Sequence, residues 1–354
     1  MKEIIKVIVT TTIRLARNLF FKRFYRKQIR RKFLRKTDSL PNDYKSDVLK
    51  YWKSKGFRID TSWHKWYSSR NGIADVRYIP EDFYYCKVEP ALNKEEFSVP
   101  LGDKSMFGFI MSDIKRPHTF VMNINGMFFD ENFKILSREE AVESCICDNE
   151  IVFKPTLDTG GGRKIEFLET GSGNKAAASI KRLFEKFHKD FIVQASIKQH
   201  DELNRLNPDS VNTLKVMSLL HKDEVHILST IIRVGLKGQR VDNLTIGGHS
   251  VGVDSSGFMR ELCFTKDGRV SSVLPNGYVL KGKSVPGYKK AVEMVKKAHC
   301  RLGQFRLVSW DIAIDPFDEP ILIEYNLFYQ GINIHQLNNG PLFGNLTDDI
   351  LETL

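Results

Sequence analysis

Apolar and polar positions keep one rhythm over most of this chain and lose it only near the start. From Val99 onward, short apolar runs recur between polar, glycine-rich turns. The runs at 119–124, 151–155, 191–195, 213–220, 225–234, 306–314 and 321–326 have the length and branched or aromatic content of strands. Helical spacing covers 44–55, 105–114 and 175–188. Strands interleaved with helices indicate an α/β or α+β architecture. The turn cluster Ser39-Leu40-Pro41-Asn42-Asp43 marks a boundary. Beyond it, the aromatic cluster Trp63-His64-Lys65-Trp66-Tyr67 reads as core packing rather than cleft lining. No internal repeat is present.

The opening segment follows neither rhythm. Apolar residues (Ile4, Ile5, Val7, Ile8, Ile13, Leu15, Leu19, Phe20, Phe21, Phe24 among them) are interrupted by Lys6, Arg14 and Arg17. The longest uncharged run, 7–13, falls far short of the roughly 20 apolar residues that a spanning helix needs. No small-residue cleavage pattern follows, which argues against a secretory signal.

Net charge sharpens that division. Residues 1–36 hold thirteen Lys/Arg and one acid, leaving 41 basic and 42 acidic residues elsewhere. The whole excess of +11 therefore sits in one segment on an electrically balanced body. A basic amphipathic helix on an anionic membrane surface fits this composition. A solvated helix packing one face on the body fits it equally. Nucleic acid is not expected as a partner, because the body carries no basic excess. Five cysteines, an odd number, suit a reducing cytosol. Cys145-x-Cys147 reads as buried small hydrophobes before it reads as a metal or redox pair.

Candidate chemistry begins near the C-terminus. The runs 307–314 and 321–326 flank a polar turn, 315–320, and predict an antiparallel hairpin. Pairing Ile314 with Ile321 sets Asp311 opposite Glu324, and period-2 alternation puts Asn326 on the face of Glu324. Two facing carboxylates repel, and a divalent cation would remove the conflict. Mg²⁺ needs one or two carboxylates plus phosphate oxygens. Upstream, Lys154 interrupts an apolar strand and is followed by Gly160, Gly161 and Gly162, whose backbone N–H groups could meet phosphate. No Walker loop and no G-x-G-x-x-G fingerprint is present. The strand 191–195 ends ahead of Asp201 and Glu202, which could accept bonds from ribose hydroxyls.

In this order, over residues 100–345, these features resemble the ATP-grasp superfamily, typified by D-alanine–D-alanine ligase. The resemblance implies an α+β fold in which two lobes grip ATP. It implies Lys104 and Lys154 as phosphate lysines and Gly160–Gly162 as a lid. Gln194, Ala195 and Ile197 become the adenine hinge, with Asp201 or Glu202 near the ribose. Asp311, Glu324 and Asn326 become the Mg²⁺ (or Mn²⁺) set. Gln194 departs from the pattern, where many members have Glu.

More narrowly, Gln199-His200, the run Ser210-Val211-Asn212-Thr213-Leu214-Lys215, Arg233-Val234-Gly235, Val241-Asp242-Asn243 and Gly247-Gly248 resemble the sugar-transfer-associated ATP-grasp family of bacterial surface-polysaccharide synthesis. Lys215 stands where that pattern tends to have Arg, which keeps the charge but loses bidentate recognition. The resemblance implies a cytoplasmic, ATP-dependent carboxylate–amine ligase, with small-molecule or glycan-linked carboxylate and amine substrates. Lys215, Arg233, Arg240 and Asn243 become its catalytic candidates, the last three on the acceptor side. His200 and His249 read as surface or structural groups before they read as acid–base groups. An ATP-grasp kinase and a non-catalytic ATP-binding scaffold are the rival readings. The expected divisions are 1–38 (basic segment), 39–100 (a preceding region), 101–196 (first lobe and lid) and 197–354 (metal- and substrate-binding lobe).

Overall fold

A computed structural model describes residues 2–30, 41–157, 164–171 and 174–354. Gly160, Gly161 and Gly162 lie outside the described residues. Among the described residues thirteen strands form two sheets, and every pairing between them is antiparallel, so the fold is α+β.

The first sheet has the order β3-β2-β1-β6-β4-β5. Its strands are β1 (Thr119–Ile124), β2 (Met127–Phe129), β3 (Ile135–Leu136), β4 (Glu150–Pro155), β5 (Glu166–Glu169) and β6 (Phe191–Ala195). The helices Arg138–Ser144 and Asn174–Phe187 cover it, burying Val121, Ile151, Phe153, Ile180, Phe184 and Phe191 in one core. Ser137 opens the first helix with a capping box completed by Glu140.

The second sheet has the order β11-β10-β9-β8-β7-β12-β13. It comprises β7 (Thr213–His221), β8 (Glu224–Val234), β9 (His249–Val253), β10 (Met259–Thr265), β11 (Val270–Ser271), β12 (Leu307–Ile314) and β13 (Pro320–Asn326). Leu214 and Val216 of β7 pack under the helix Tyr288–His299 with Ile232, Val295 and Trp310. On the opposite face, Met217 and Leu219 are covered by the N-terminal block. Both faces of these central strands are therefore buried, and their sequences run apolar instead of alternating. Thr213 and Lys215 share the face of Met217 but lie beyond its cover, where the sheet is open to the cleft.

The N-terminal block contains α2 (Asn42–Ser54) and α3 (Ser62–Asn71). Trp52, Trp63, Trp66 and Tyr67 are fully buried, so the aromatic cluster is core. The run 105–114 is less helical than its spacing suggests. It forms a 3₁₀ turn at Lys104–Met106 and one α-turn at Phe107–Ile110, and Met111 then leaves helical geometry. The long first helix, α1 (Lys2–Gln28), is not amphipathic in the simple sense. Phe21 and Tyr25 pack on Tyr85 at 5.5 and 4.7 Å, and Ile29 is buried, but Leu15, Leu19, Phe20 and Phe24 face outward. Among the described residues, no helix is long and apolar enough to cross a membrane.

Candidate functional site

The hairpin at the end of the second sheet forms with a different register from that expected. Ile314 pairs with Pro320 and Ala313 with Ile321. Asp315 closes the turn one residue early, because its Oδ1 accepts from the amides of Phe317 (2.8 Å) and Glu319 (3.0 Å). A bulge then lets Ile312 face Leu322 and Asp311 face Glu324, with Ile323 as the extra residue. The carboxylates are opposed as expected, through a compensating irregularity. The bulge also brings Ile323 and Glu324 to the same cleft, which strict alternation would forbid.

The protein itself supplies the cations that relieve this opposition. Lys215 is the other cross-strand neighbour of Asp311 and donates to its Oδ1 at 2.8 Å. Arg233 donates to its Oδ2 at 2.7 Å and to Thr213 Oγ1 at 3.0 Å, with Asp242 beside it at 3.3 Å. Thr213 Oγ1 donates in turn to Asp242. Lys104 reaches across to Glu324 at 3.3 Å. Burial alone would raise the Asp311 carboxyl, but Arg233 and Lys215 more than offset it and hold it below its ordinary value. Asp242 is raised by its burial, which Arg233 and Thr213 only partly offset. Arg233 is held protonated against its own burial by Asp242, Asp311 and Glu324.

Lys154 projects from β4 into the same cleft and is pushed down to about 8 by burial, a shift that Glu324 opposes and Lys104 adds to. Its Nζ donates to Gln194 Oε1 at 3.1 Å, and Gln194 donates to Thr119 at 3.0 Å. Gln194 thus orients Lys154 from beneath and does not line the cleft, unlike Ala195, Ser196 and Ile197. Being neutral, it does not cancel the ammonium charge. Val152, Ile165, Phe167, Ala195 and Ile197 supply apolar walls at this end.

Nine of the expected residues line this one cleft: Lys104, Lys154, Ala195, Ile197, Arg233, Arg240, Asn243, Asp311 and Glu324. Lys215 is buried directly behind Asp311. Arg240, expected on the acceptor side, stands at the apolar end of the cleft. Its guanidinium lies 4.3 Å from the Phe167 ring centroid and pairs with Glu150 at 2.5 Å, and Glu150 also accepts from Ser196 at 2.8 Å. It latches the second lobe to the apolar end. Asp201 lines an adjoining cavity, while Glu202 turns to Arg205 at 2.8 Å. Asn326 is the cross-strand partner of Ser309, off the cleft wall. Among the described residues, no group of three His, Cys, Asp or Glu converges as a metal site.

Asp242, Thr213 and Phe167 escaped sequence reasoning as site residues. Asp242 stood in a quoted motif but carried no local signal of its own, and Phe167 is one aromatic in a short strand. Several motif residues turn out to be builders. Gln199 donates to Ser210 O at 2.7 Å and accepts from Asn212 N at 2.8 Å, folding the loop that presents Val211 and Thr213. A Cβ on Gly235 would fall 2.3 Å from Ser210 Oγ, so a larger residue there would have to push the Ser210 hydroxyl off Asn207. His200 accepts from the amide of Glu202 at 3.1 Å as a helix cap, in keeping with its structural reading.

Comparisons with known proteins add to this geometry. Solved structures of similar shape include D-cycloserine synthetase DcsG (12% identity, 88% of this chain and 96% of that one, TM-score 0.47). Others are L-amino acid ligase from Bacillus licheniformis (12%, 72% and 48%, TM-score 0.40) and D-alanyl-alanine synthetase A from Vibrio cholerae O1 biovar eltor (11%, 71% and 63%, TM-score 0.41). The chain spans about half the length of the L-amino acid ligase. No curated protein matches it. A family model described as sugar-transfer associated ATP-grasp matches residues 86–350, which takes in both sheets and every described wall of the cleft. The chain belongs to the sugar-transfer associated ATP-grasp family.

Proposed function

We propose that this chain is an ATP-dependent carboxylate–amine ligase that works through an acyl phosphate on a substrate of bacterial surface-polysaccharide biosynthesis or modification. One observation carries the ATP half. Lys104, Lys154, Lys215 and Arg233 stand against Asp242, Asp311 and Glu324 around one cleft, beside an apolar slot. A surplus cation with an apolar neighbour suits a polyanion attached to a flat base. The polysaccharide role rests on the description of the family.

In this reading Lys104 and Lys154 hold the phosphates. Val152, Phe167, Ala195 and Ile197 receive the base, and Arg240 closes that end. Each Asp311 oxygen takes one cation and keeps a further lone pair, while one Glu324 oxygen is engaged by Lys104. Glu324 and Asp311, without Asn326, which lies off the cleft wall, would therefore suit a Mg²⁺ that arrives with the triphosphate and completes its shell with phosphate oxygens. Bound there, it would neutralise charge on the β- and γ-phosphates. Lys215 and Arg233 keep Asp311 ionised and still. A substrate carboxylate oxygen then attacks the γ-phosphorus, the bond to the β–γ bridging oxygen breaks, and ADP leaves. An amine attacks the acyl carbon, phosphate leaves, and the nitrogen gives up a proton. Most of the rate is positioning and charge neutralisation.

The test is ADP release with candidate glycan carboxylates and amines, offered singly and in pairs. Release only with both is expected. Release with a hydroxyl sugar alone, with phosphate in the product, would make the chain a kinase, and no release with any substrate would leave a nucleotide-binding scaffold. Glu324→Ala is expected to abolish release with an unchanged thermal melt; wild-type ATP consumption in that variant would remove the site.

A further inference from the structure

We propose that the outward face of α1 docks on an anionic lipid bilayer. Leu15, Leu19, Phe20 and Phe24 are 59%, 59%, 61% and 41% exposed, and the Phe20 and Phe24 rings stack at 5.7 Å. Arg23 and Lys27 are exposed among them, one helical turn apart. A helix with apolar residues around its whole circumference needs cover on every side. Among the described side chains of α1, the body covers only one side.

That side is firmly held. Arg26 pairs with Asp82 at 3.0 Å, Arg30 with Asp60 at 3.2 Å, and Arg17 with Glu95. The helix therefore does not roll to hide its outer residues, and the face stays presented. Charge selects the occupant. Residues 1–36 hold thirteen cations and one acid, so a second copy of the same face would bring like charge against like. A nucleic-acid duplex would meet the cations and leave the leucines and phenylalanines in water. An anionic bilayer takes both sets, with the rings at the acyl boundary and the cations at the phosphates. The placement also matters to the cleft. Phe21 lies 5.8 Å from Tyr329, three residues past the end of β13, and Tyr329 donates to Glu95 at 3.0 Å. Docking brings the lipid surface to the side where β13 leaves the site.

The experiment is flotation of the full-length protein with vesicles of phosphatidylcholine alone or with a third phosphatidylglycerol. Binding to the anionic vesicles at low salt is expected, at least tenfold weaker on neutral vesicles or at high salt. The exposed-site variant L19S/F20S/F24S should lose at least tenfold at low salt while keeping the wild-type melt and nucleotide affinity. Wild-type flotation by that variant, or no flotation of wild type on anionic vesicles, would overturn the proposal. So would a concentration-dependent dimer, or duplex binding, that the triple variant abolishes.

Discussion

Two regions of this molecule bury ionisable groups, and they handle the cost in opposite ways. In the N-terminal block three of them, His64, Glu81 and Glu89, are pushed toward the neutral form, while Asp82 at its edge is paired with Arg26. Burial pushes His64 down to about 4, and burial pushes Glu81 and Glu89 up to about 8. His64 bonds the carbonyl of Val76 at 3.1 Å, and Glu89 accepts from the Gln330 amide at 2.9 Å. In the cleft the groups stay charged, because Asp311 has a cation on each oxygen and Arg233 has an acid at either hand. A charge that only supports a fold is removed by titration; a charge that must meet a ligand is kept by a counter-charge. The aromatic block is a scaffold, and the cleft is built to receive charge.

The hardest way to break this contrast is to remove one partner in the cleft. Asp311→Ala leaves Lys215 buried without its acid and Arg233 with Asp242 alone, and should cost about 3–5 kcal/mol of stability. Chemical denaturation would measure it, and a loss below about 1 kcal/mol would show that these charges are not truly desolvated.

The next largest effect lies in the scaffold and depends on pH. The folded value of His64 is depressed from 6.5 to about 4. Its contribution is therefore complete above pH 6.5 and is lost as the unfolded chain takes up a proton on acidification toward 4. Between pH 7 and 5 the loss is about 2 kcal/mol. His64→Gln should flatten the stability curve by that amount in that window; an unchanged slope would mean the imidazole titrates normally. The Asp311 contribution is lost only at lower pH, as the pH falls from the ordinary carboxylate value through the depressed folded one.

The smallest effect sharpens the cleft. With Lys154 at about 8, its ammonium is mostly charged at pH 7 and mostly neutral at pH 8.5. ADP affinity should weaken roughly fourfold over that interval, and calorimetry with wild type and Lys154→Gln would read it. A flat profile in the wild type would place the phosphates elsewhere.

Much of the fold was legible along the chain. Runs such as 119–124 and 191–195 became strands with the same limits, because buried central strands carry continuous apolar stretches. Short or polar strands, β2, β3, β9 and β11, carried too little pattern to read. The site was legible in part. Lys104, Lys154, Asp311 and Glu324 were identified and do line one cleft, but the cations that the chain itself sets against the facing carboxylates were not legible. Lys215 answers Asp311 from 96 positions away in the chain, a contact no local spacing announces.

The sequence alone determined the long apolar strands, the buried aromatics, the isolated basic segment and the residue types at the cleft. The tertiary structure decided which charges face one another, that Arg240 closes the apolar end, and that one side of α1 is pinned while the other is left outward. The physical reason is range. Propensity and periodicity act over a few residues, whereas an ion pair between β7 and β12, or a bulge that restores a register, exists only after distant strands have been brought within about 5 Å of each other.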